Sequence, residues 1–316
     1  MCPVTHSASY ACNLSRVSDD WDDWIRDWLM SLRADGKTAD TLRTYEIGAN
    51  LFIGWLTASD DAVGPQSVTR RDVEKWLVSL SEAGMSESTR RLRLMTLRSL
   101  FGFIVAEPNP PLTVNPALGI KAPVAELPHV DIVPDEDLAA LLKTCDTTFL
   151  GLRDTAVIRT MVATGLRRGE LVGLDVDDLD LRHQVVAVMG KGGKPRIVSI
   201  GGSKTPLALS RYLRARRRHK HADSPALFLG HHGRISGAAV HEMLRRRSVA
   251  AGIPVVHPHA LRHLWAHLSK EAGLSDEDLE RMGGWSAPGM VRRYGRGLAD
   301  ERARAAHAAL GVGDRI

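Results

Sequence analysis

Between Glu107 and Asp135 the chain carries Pro108, Pro110, Pro111, Pro116, Pro123, Pro128 and Pro134. Each proline lacks a backbone N–H donor and locks φ, so a stretch this dense forms neither a regular helix nor a central strand. The 316 residues suffice for two ordinary domains, and the prolines mark the place where they part. The expected division is a loose polar tail over 1–17, a helical domain over 18–107, an extended linker over 108–133 and a second domain over 134–316.

The first domain reads as helix throughout. Trp21, Trp24, Ile25, Trp28, Leu29 and Leu32 recur at i, i+3, i+4, i+7, i+8 and i+11, a single apolar stripe. Core packing explains these tryptophans better than base stacking. A second helix runs from about Asp40 to Leu56, with Leu42, Tyr45, Phe52, Trp55 and Leu56 inward. Thr69 caps a third, with Asp72 near the capping-box position and Val73, Trp76, Leu77 and Leu80 on one face. Ser86 opens a fourth, whose packing residues are expected to be Leu92, Met95, Leu100, Phe101 and Ile104. Arg90, Arg91, Arg93 and Arg98 crowd that helix; they form either a solvated basic face or a set of phosphate contacts.

The second domain mixes helix and strand. DEDLAALLKTC places its acids at a helix N-terminus, where the dipole favours them. LGLRDTAVIRTMVATG is a buried helix ended by Gly165, and RRGELVGL a short one. HQVVAVMG and RIVSI read as two strands joined by the turn KGGK. Four further helices are expected: one with a basic end at Arg214, Arg216, Arg217, Arg218 and Lys220, then GAAVHEMLRRRSVAAG, the one opened by HPHALRH, and LSDEDLERMGG capped by Ser275. Tyr294 lies on a short helical segment after these, and an alanine-rich helix closes the chain.

His259 and Arg262 stand three residues apart, so one helical turn can aim both at one point. Arg167 lies far upstream in ATGLRRGELVGL, and Trp285 and Tyr294 follow downstream. Two arginine forks suit the non-bridging oxygens of a phosphodiester, and a phenol can be the nucleophile. The blocks ATGLRRGEL, MGKGGKPR, HPHALRH and GGWS, with Tyr294 nine residues after Trp285, resemble the tyrosine recombinase (phage integrase) family in order and spacing. The likeness spans roughly residues 18–310, and it is the combination of motifs that is specific.

The resemblance implies a mainly α fold with a small β-sheet, arranged as a two-domain clamp. The N-terminal half would be a SAM-like core-binding domain and the C-terminal half a mixed α+β DNA breaking-rejoining catalytic domain. On that basis the basic fourth helix leans toward DNA contact. Arg167, directly after Gly165-Leu166, is chosen over Arg168 as one active arginine, with Arg262 as the other. Lys191, in the glycine turn, would protonate the leaving 5′ oxygen, with Lys194 and Arg196 as competitors and candidate DNA contacts. His259 would touch the phosphate and accept the tyrosine proton. Glu170 and His263 would support the pocket. Trp285 stands where many relatives carry histidine; its indole N–H can donate but cannot shuttle a proton. Tyr294 would form a 3′-phosphotyrosine link, exchanged through a Holliday junction. The bond energy stays in the ester, so no cofactor is required.

The partners implied are double-stranded DNA with an inverted-repeat core site, further copies of this chain (monomer or dimer when free, a tetramer on two duplexes) and a directionality factor. With only residues 1–17 ahead of the first domain, the layout resembles simple recombinases without an arm-binding domain. Trp285 and the divergent tail lean toward a mobile-element integrase rather than a chromosome-dimer resolver. Two rivals are a type IB topoisomerase and a DNA-binding module that has lost activity. The net charge of +5 permits a polyanionic partner without requiring one. His259/His263 and His263/His267 have zinc-compatible spacing, but neither an HExxH motif nor a cysteine accompanies them, so no metal is expected. The three scattered cysteines, the lack of a signal peptide and the lack of a long apolar run fit a cytoplasmic protein working on the nucleoid.

Overall fold

The computed structural model describes residues 7–58, 64–123, 132–190, 193, 195–285, 304, 307 and 308, with side chains from Trp21 onward. The chain divides into two compact units, residues 1–128 and 129–316.

The first unit is built on four helices: α1 (Ser7–Ala34), α2 (Ala39–Thr57), α3 (Arg70–Glu82) and α4 (Glu87–Ala106). Helix α1 begins at Ser7, ahead of the start expected at Ser18, so much of the segment read as a loose tail is helical backbone. The tryptophan stripe packs as expected: Trp21 and Trp28 are buried, and Trp28 Nε1 donates to Ser99 Oγ on α4 at 3.2 Å. Phe52 of α2 meets Trp76 of α3 and Phe101 of α4 edge-on at 5.1 and 6.0 Å, a favourable geometry for aromatic quadrupoles. The Thr69–Asp72 box is present; the Asp72 carboxylate accepts from Thr69 N at 2.9 Å.

Two further expectations for this unit change. On α4 the buried stripe is Leu94, Leu97, Leu100, Phe101 and Ile104, while Leu92 and Met95 are exposed. The stripe steps 94, 97, 101, 104 and leaves 92 and 95 on the other face. The proline-rich stretch is not wholly a tether either, because Leu112, Ala117 and Ile120 join the core of the first unit. Arg98 fixes it there, its Nε donating to the Ala117 carbonyl at 3.2 Å and its Nη2 to the Ile120 carbonyl, while Asn115 Nδ2 donates back to the Arg98 carbonyl at 2.9 Å.

The second unit opens with α5 (Asp135–Lys143), α6 (Phe149–Thr164) and α7 (Arg168–Gly173). An antiparallel sheet of β1 (Leu179–Asp180), β2 (Val185–Met189) and β3 (Pro195–Ser199) follows in the order β1-β2-β3. Val186 pairs with Val198 and Val188 with Arg196. The valines turn inward, and Met189 and Ile197 face out, the alternation of a half-buried hairpin. Then come α8 (Lys204–Arg216), a short hairpin of β4 (Leu229–Gly230) and β5 (Gly233–Arg234), α9 (Gly237–Ala251), α10 (Pro258–Glu271) and α11 (Asp276–Gly283). Strand β1 and the β4–β5 hairpin, two residues per strand, carry too little periodicity to be read from sequence. Helix α6 packs on both α8 and α10. The segments expected to carry Tyr294 and most of the closing helix lie outside the described residues. No described helix is long and apolar enough to cross a membrane.

Candidate active site

Helix α6 stops at Gly165, which takes a left-handed φ of 61°. A side chain there would be strained, and its Cβ would lie 2.0 Å from the Trp265 ring. The sharp stop turns the chain so that Arg167 becomes the N-cap of α7. Glu170, one turn along, accepts from Arg167 N and from Arg167 Nη1, both at 2.9 Å. Arg167 Nη2 donates to the Gly284 carbonyl at 2.8 Å.

Arg262 arrives from α10. Its side chain is buried, 2% exposed, with Nη1 donating to the Gly165 carbonyl and Nη2 to the Gly283 carbonyl at 2.6 Å. The guanidinium carbon lies 4.3 Å from the centroid of the Trp285 ring, within cation–π range. Arg167 and Arg262 therefore bond consecutive carbonyls, those of Gly284 and Gly283, at the end of α11. Trp285 is buried beside Trp265, with ring centroids 5.8 Å apart. It builds the floor under Arg262.

His259 sits in the first turn of α10 behind Pro258, one turn before Arg262. Desolvation, then the Arg262 and Arg167 cations, hold its pKa below the ordinary histidine value. It is neutral at neutral pH and able to accept a proton. His263 crosses His259 edge-on at 4.1 Å. Burial, His259 and Arg262 push its pKa down to about 4, so it stays uncharged under physiological conditions.

Glu170 is an anion among cations. Burial alone would raise its pKa; hydrogen bonds from Arg196 and Arg167 outweigh burial and lower it. Arg196 was expected as a DNA contact, but its side chain is 11% exposed and its donors turn inward. Nη1 and Nη2 grip the Glu170 carboxylate at 3.0 and 2.8 Å, and Nε donates to the Met282 carbonyl at 2.9 Å. Arg98 is likewise turned into its own unit rather than outward. Arg91 is exposed, Arg90 is partly covered beside Glu87, and Arg93 Nη1 reaches the Thr44 carbonyl at 3.5 Å. Lys191, Lys194 and Tyr294 lie outside the described residues; the β2–β3 register pairs Met189 with Pro195. Arg167, Glu170, His259, Arg262, His263, Trp285 and Arg196 thus form one cluster, assembled from α7, β3, α10 and the end of α11.

Two family models match the two units in order: the N-terminal SAM-like domain of phage integrases over residues 25–108 and the phage integrase family over residues 132–300. Tyrosine recombinase XerC of Chromobacterium violaceum is 32% identical over 256 residues, covering 80% of this chain and 83% of the relative. Among solved structures, the XerH site-specific recombinase in a post-cleavage complex with a palindromic difH substrate superimposes with a TM-score of 0.69 at 19% identity, covering 84% of this chain and 78% of that one. The lambda integrase tetramer bound to a Holliday junction gives 0.66 at 17% identity, covering 86% and 76%. With its arginine cluster in place and both family models matched, the chain belongs to the phage integrase family of tyrosine recombinases, enzymes that break and rejoin DNA.

Proposed function

We propose that this chain is a site-specific recombinase in which Tyr294 attacks a DNA phosphodiester held by Arg167 and Arg262. One observation carries the reading: two arginines from separate blocks of sequence bond the adjacent carbonyls of Gly283 and Gly284, with neutral His259 beside them. Attack builds negative charge on a pentacoordinate phosphorus, and fixed guanidinium groups aimed at that charge stabilise it where it develops. The Tyr294 oxygen bonds to phosphorus while the bond to the 5′ oxygen breaks. His259 takes the phenol proton, and Lys191 gives a proton to the departing 5′ oxygen. The partner strand's 5′ hydroxyl then attacks the 3′-phosphotyrosine link, restores a phosphodiester and frees the tyrosine. Glu170 orients Arg167, and Trp285 supports Arg262.

The DNA partner is a duplex with an inverted-repeat core site, bound by copies of this chain that exchange strands as a tetramer; a directionality factor sets the outcome. Arg91 and Arg90 on α4 remain the candidate DNA contacts of the first unit. Relatives named recombinases support this over topoisomerase-like relaxation. A duplex nicked beside the cleavage site, so that the short product diffuses away, tests the chemistry. The wild-type chain should accumulate a covalent DNA adduct mapped to Tyr294, and Tyr294→Phe should abolish it while DNA affinity stays within about twofold. An adduct that persists in Tyr294→Phe would overturn the assignment, and a wild-type chain that binds the site without an adduct would leave a binding module.

A further inference from the structure

We propose that Arg196 is a positioning residue for the strand-cleavage chemistry, acting through Glu170 on Arg167 and through Met282 on the turn that follows α11. It rests on the recombinase reading above but extends it to a residue outside the reacting set. Arg196 sits on β3 opposite Val188. Its three side-chain nitrogens each reach a partner on another element: both oxygens of Glu170 on α7 and the Met282 carbonyl on α11. One planar fork thereby joins the hairpin, the N-terminal turn of α7 and the end of α11.

Glycine at position 284 makes room for this join. Gly284 takes a left-handed φ of 61°, and a Cβ built on it would lie 3.1 Å from the Arg196 guanidinium carbon and 3.4 Å from Arg167 Nη1. Two like charges therefore flank one glycine, with the buried Glu170 carboxylate bridging them. Each oxygen of Glu170 accepts from both arginines, counting the Arg167 backbone N–H. If Arg196 were lost, Glu170 would have one cationic partner, the carboxylate could rotate onto Arg167, and Met282 would lose its anchor. Lysine cannot stand in, because a single ammonium cannot hold two carboxylate oxygens in a planar fork and also reach the Met282 carbonyl.

The test uses the full chain with the nicked duplex at saturating DNA. Arg196→Met and Arg196→Lys should both slow adduct formation by on the order of tenfold to a hundredfold, as small misplacements of catalytic groups do. DNA affinity should stay within about twofold and its salt dependence unchanged. In a Glu170→Gln background, Arg196→Met should add less than about threefold, because the two act as one unit. A residue that contacts DNA gives the opposite result and overturns the proposal: affinity falls, the salt slope drops by about one, and the saturated rate holds.

A second readout does not depend on cleavage. The wild-type chain should melt above Arg196→Met by a margin that is largest at neutral pH and shrinks as pH falls below the ordinary carboxylate range, where Glu170 takes up its proton. With Glu170→Gln in both chains the margin should lose this pH dependence. A margin that ignores pH overturns the Arg196–Glu170 coupling even if the wild-type chain forms no adduct. A missing wild-type adduct bears on the recombinase reading alone.

Discussion

The two units solve the problem of a core in different ways. The first is held by rings and aliphatic chains: Trp21, Trp28, Phe52, Trp76 and Phe101 are essentially fully buried, and their edge-on contacts knit α1 through α4. The second threads charge through its interior. Arg153, Asp154, Arg216, Arg262 and Lys270 are all buried there. Arg216 alone donates to the carbonyls of Ala222, Ser224, Ala226 and Leu227, and Asp154 is gripped by Arg153 on one oxygen and Arg247 on the other. Apolar packing is tolerant of direction, since dispersion and hydrophobic burial follow area. Guanidinium forks are not; they fix angles as well as distances. The unit that brings Arg167 and Arg262 onto the adjacent carbonyls of Gly284 and Gly283 uses the directional kind, and the helical bundle is held chiefly by the tolerant kind.

The largest stability effect should come from breaking that charge framework. Asp154 is 2% exposed, and its two oxygens accept from Arg153 at 3.0 and 2.7 Å and from Arg247 at 2.9 and 2.7 Å. Asp154→Ala leaves two largely buried cations facing each other without an anion, at a cost of about 3–5 kcal/mol. Peptide-resolved hydrogen exchange should speed up across α6 and α9 and not across α1–α4. A loss below about 1 kcal/mol, or one spread evenly over both units, would mean that the buried ions are not what organises the second unit.

Leu97→Ala makes the matching break in the first unit. Leu97 is fully buried on α4, and its loss should cost about 3 kcal/mol through transfer and cavity terms. Here the exchange should rise in α1–α4 alone, and the cost should be insensitive to salt because no charge is involved. A strongly salt-dependent loss would blur the contrast between the cores.

How legible each unit is from sequence follows the same division. The tryptophan stripe, the Thr69–Asp72 box, the Gly165 stop and the β2–β3 hairpin all rest on contacts a few residues apart, where spacing alone predicts geometry. The pairing of Arg167 with Glu170 and of His259 with Arg262 is local in the same sense, and the blocks resembling a known family brought the two pairs together. Arg98 defeated sequence reading because its partners are the backbone carbonyls of Ala117 and Ile120, and a carbonyl leaves no trace in residue type; Arg196 bonds the Met282 carbonyl as well, and its two other donors grip Glu170 on a different element. A basic residue on a predicted helix or hairpin then reads as surface. The same blindness hid Arg216, which looked like one more charge at a basic helix end. The signal that was available lay in Glu170: a carboxylate expected in a cationic pocket needs more than one partner when buried. On α4 the error was one of phase, since Leu92 and Met95 also keep helical spacing with Leu100 and only the facing helices decide which stripe is inward.

The smallest predicted effect tests how far local sequence rules carry energy in the first unit. Thr69 caps α3 at its N-terminus; Asp72 accepts from its N–H at 2.9 Å and from its hydroxyl at 2.6 Å, all of it exposed to water. Thr69→Ala removes the hydroxyl but keeps the backbone donor, so about 0.5–1 kcal/mol should be lost, at the low end for capping residues. The urea midpoint of the first unit should fall slightly with an unchanged slope, and the second unit's exchange should not move. A cost as large as that of Leu97→Ala would mean that α3 hangs on its cap rather than on Trp76 and Leu80 beneath it, and that the first unit is less a packing-driven core than its buried rings indicate.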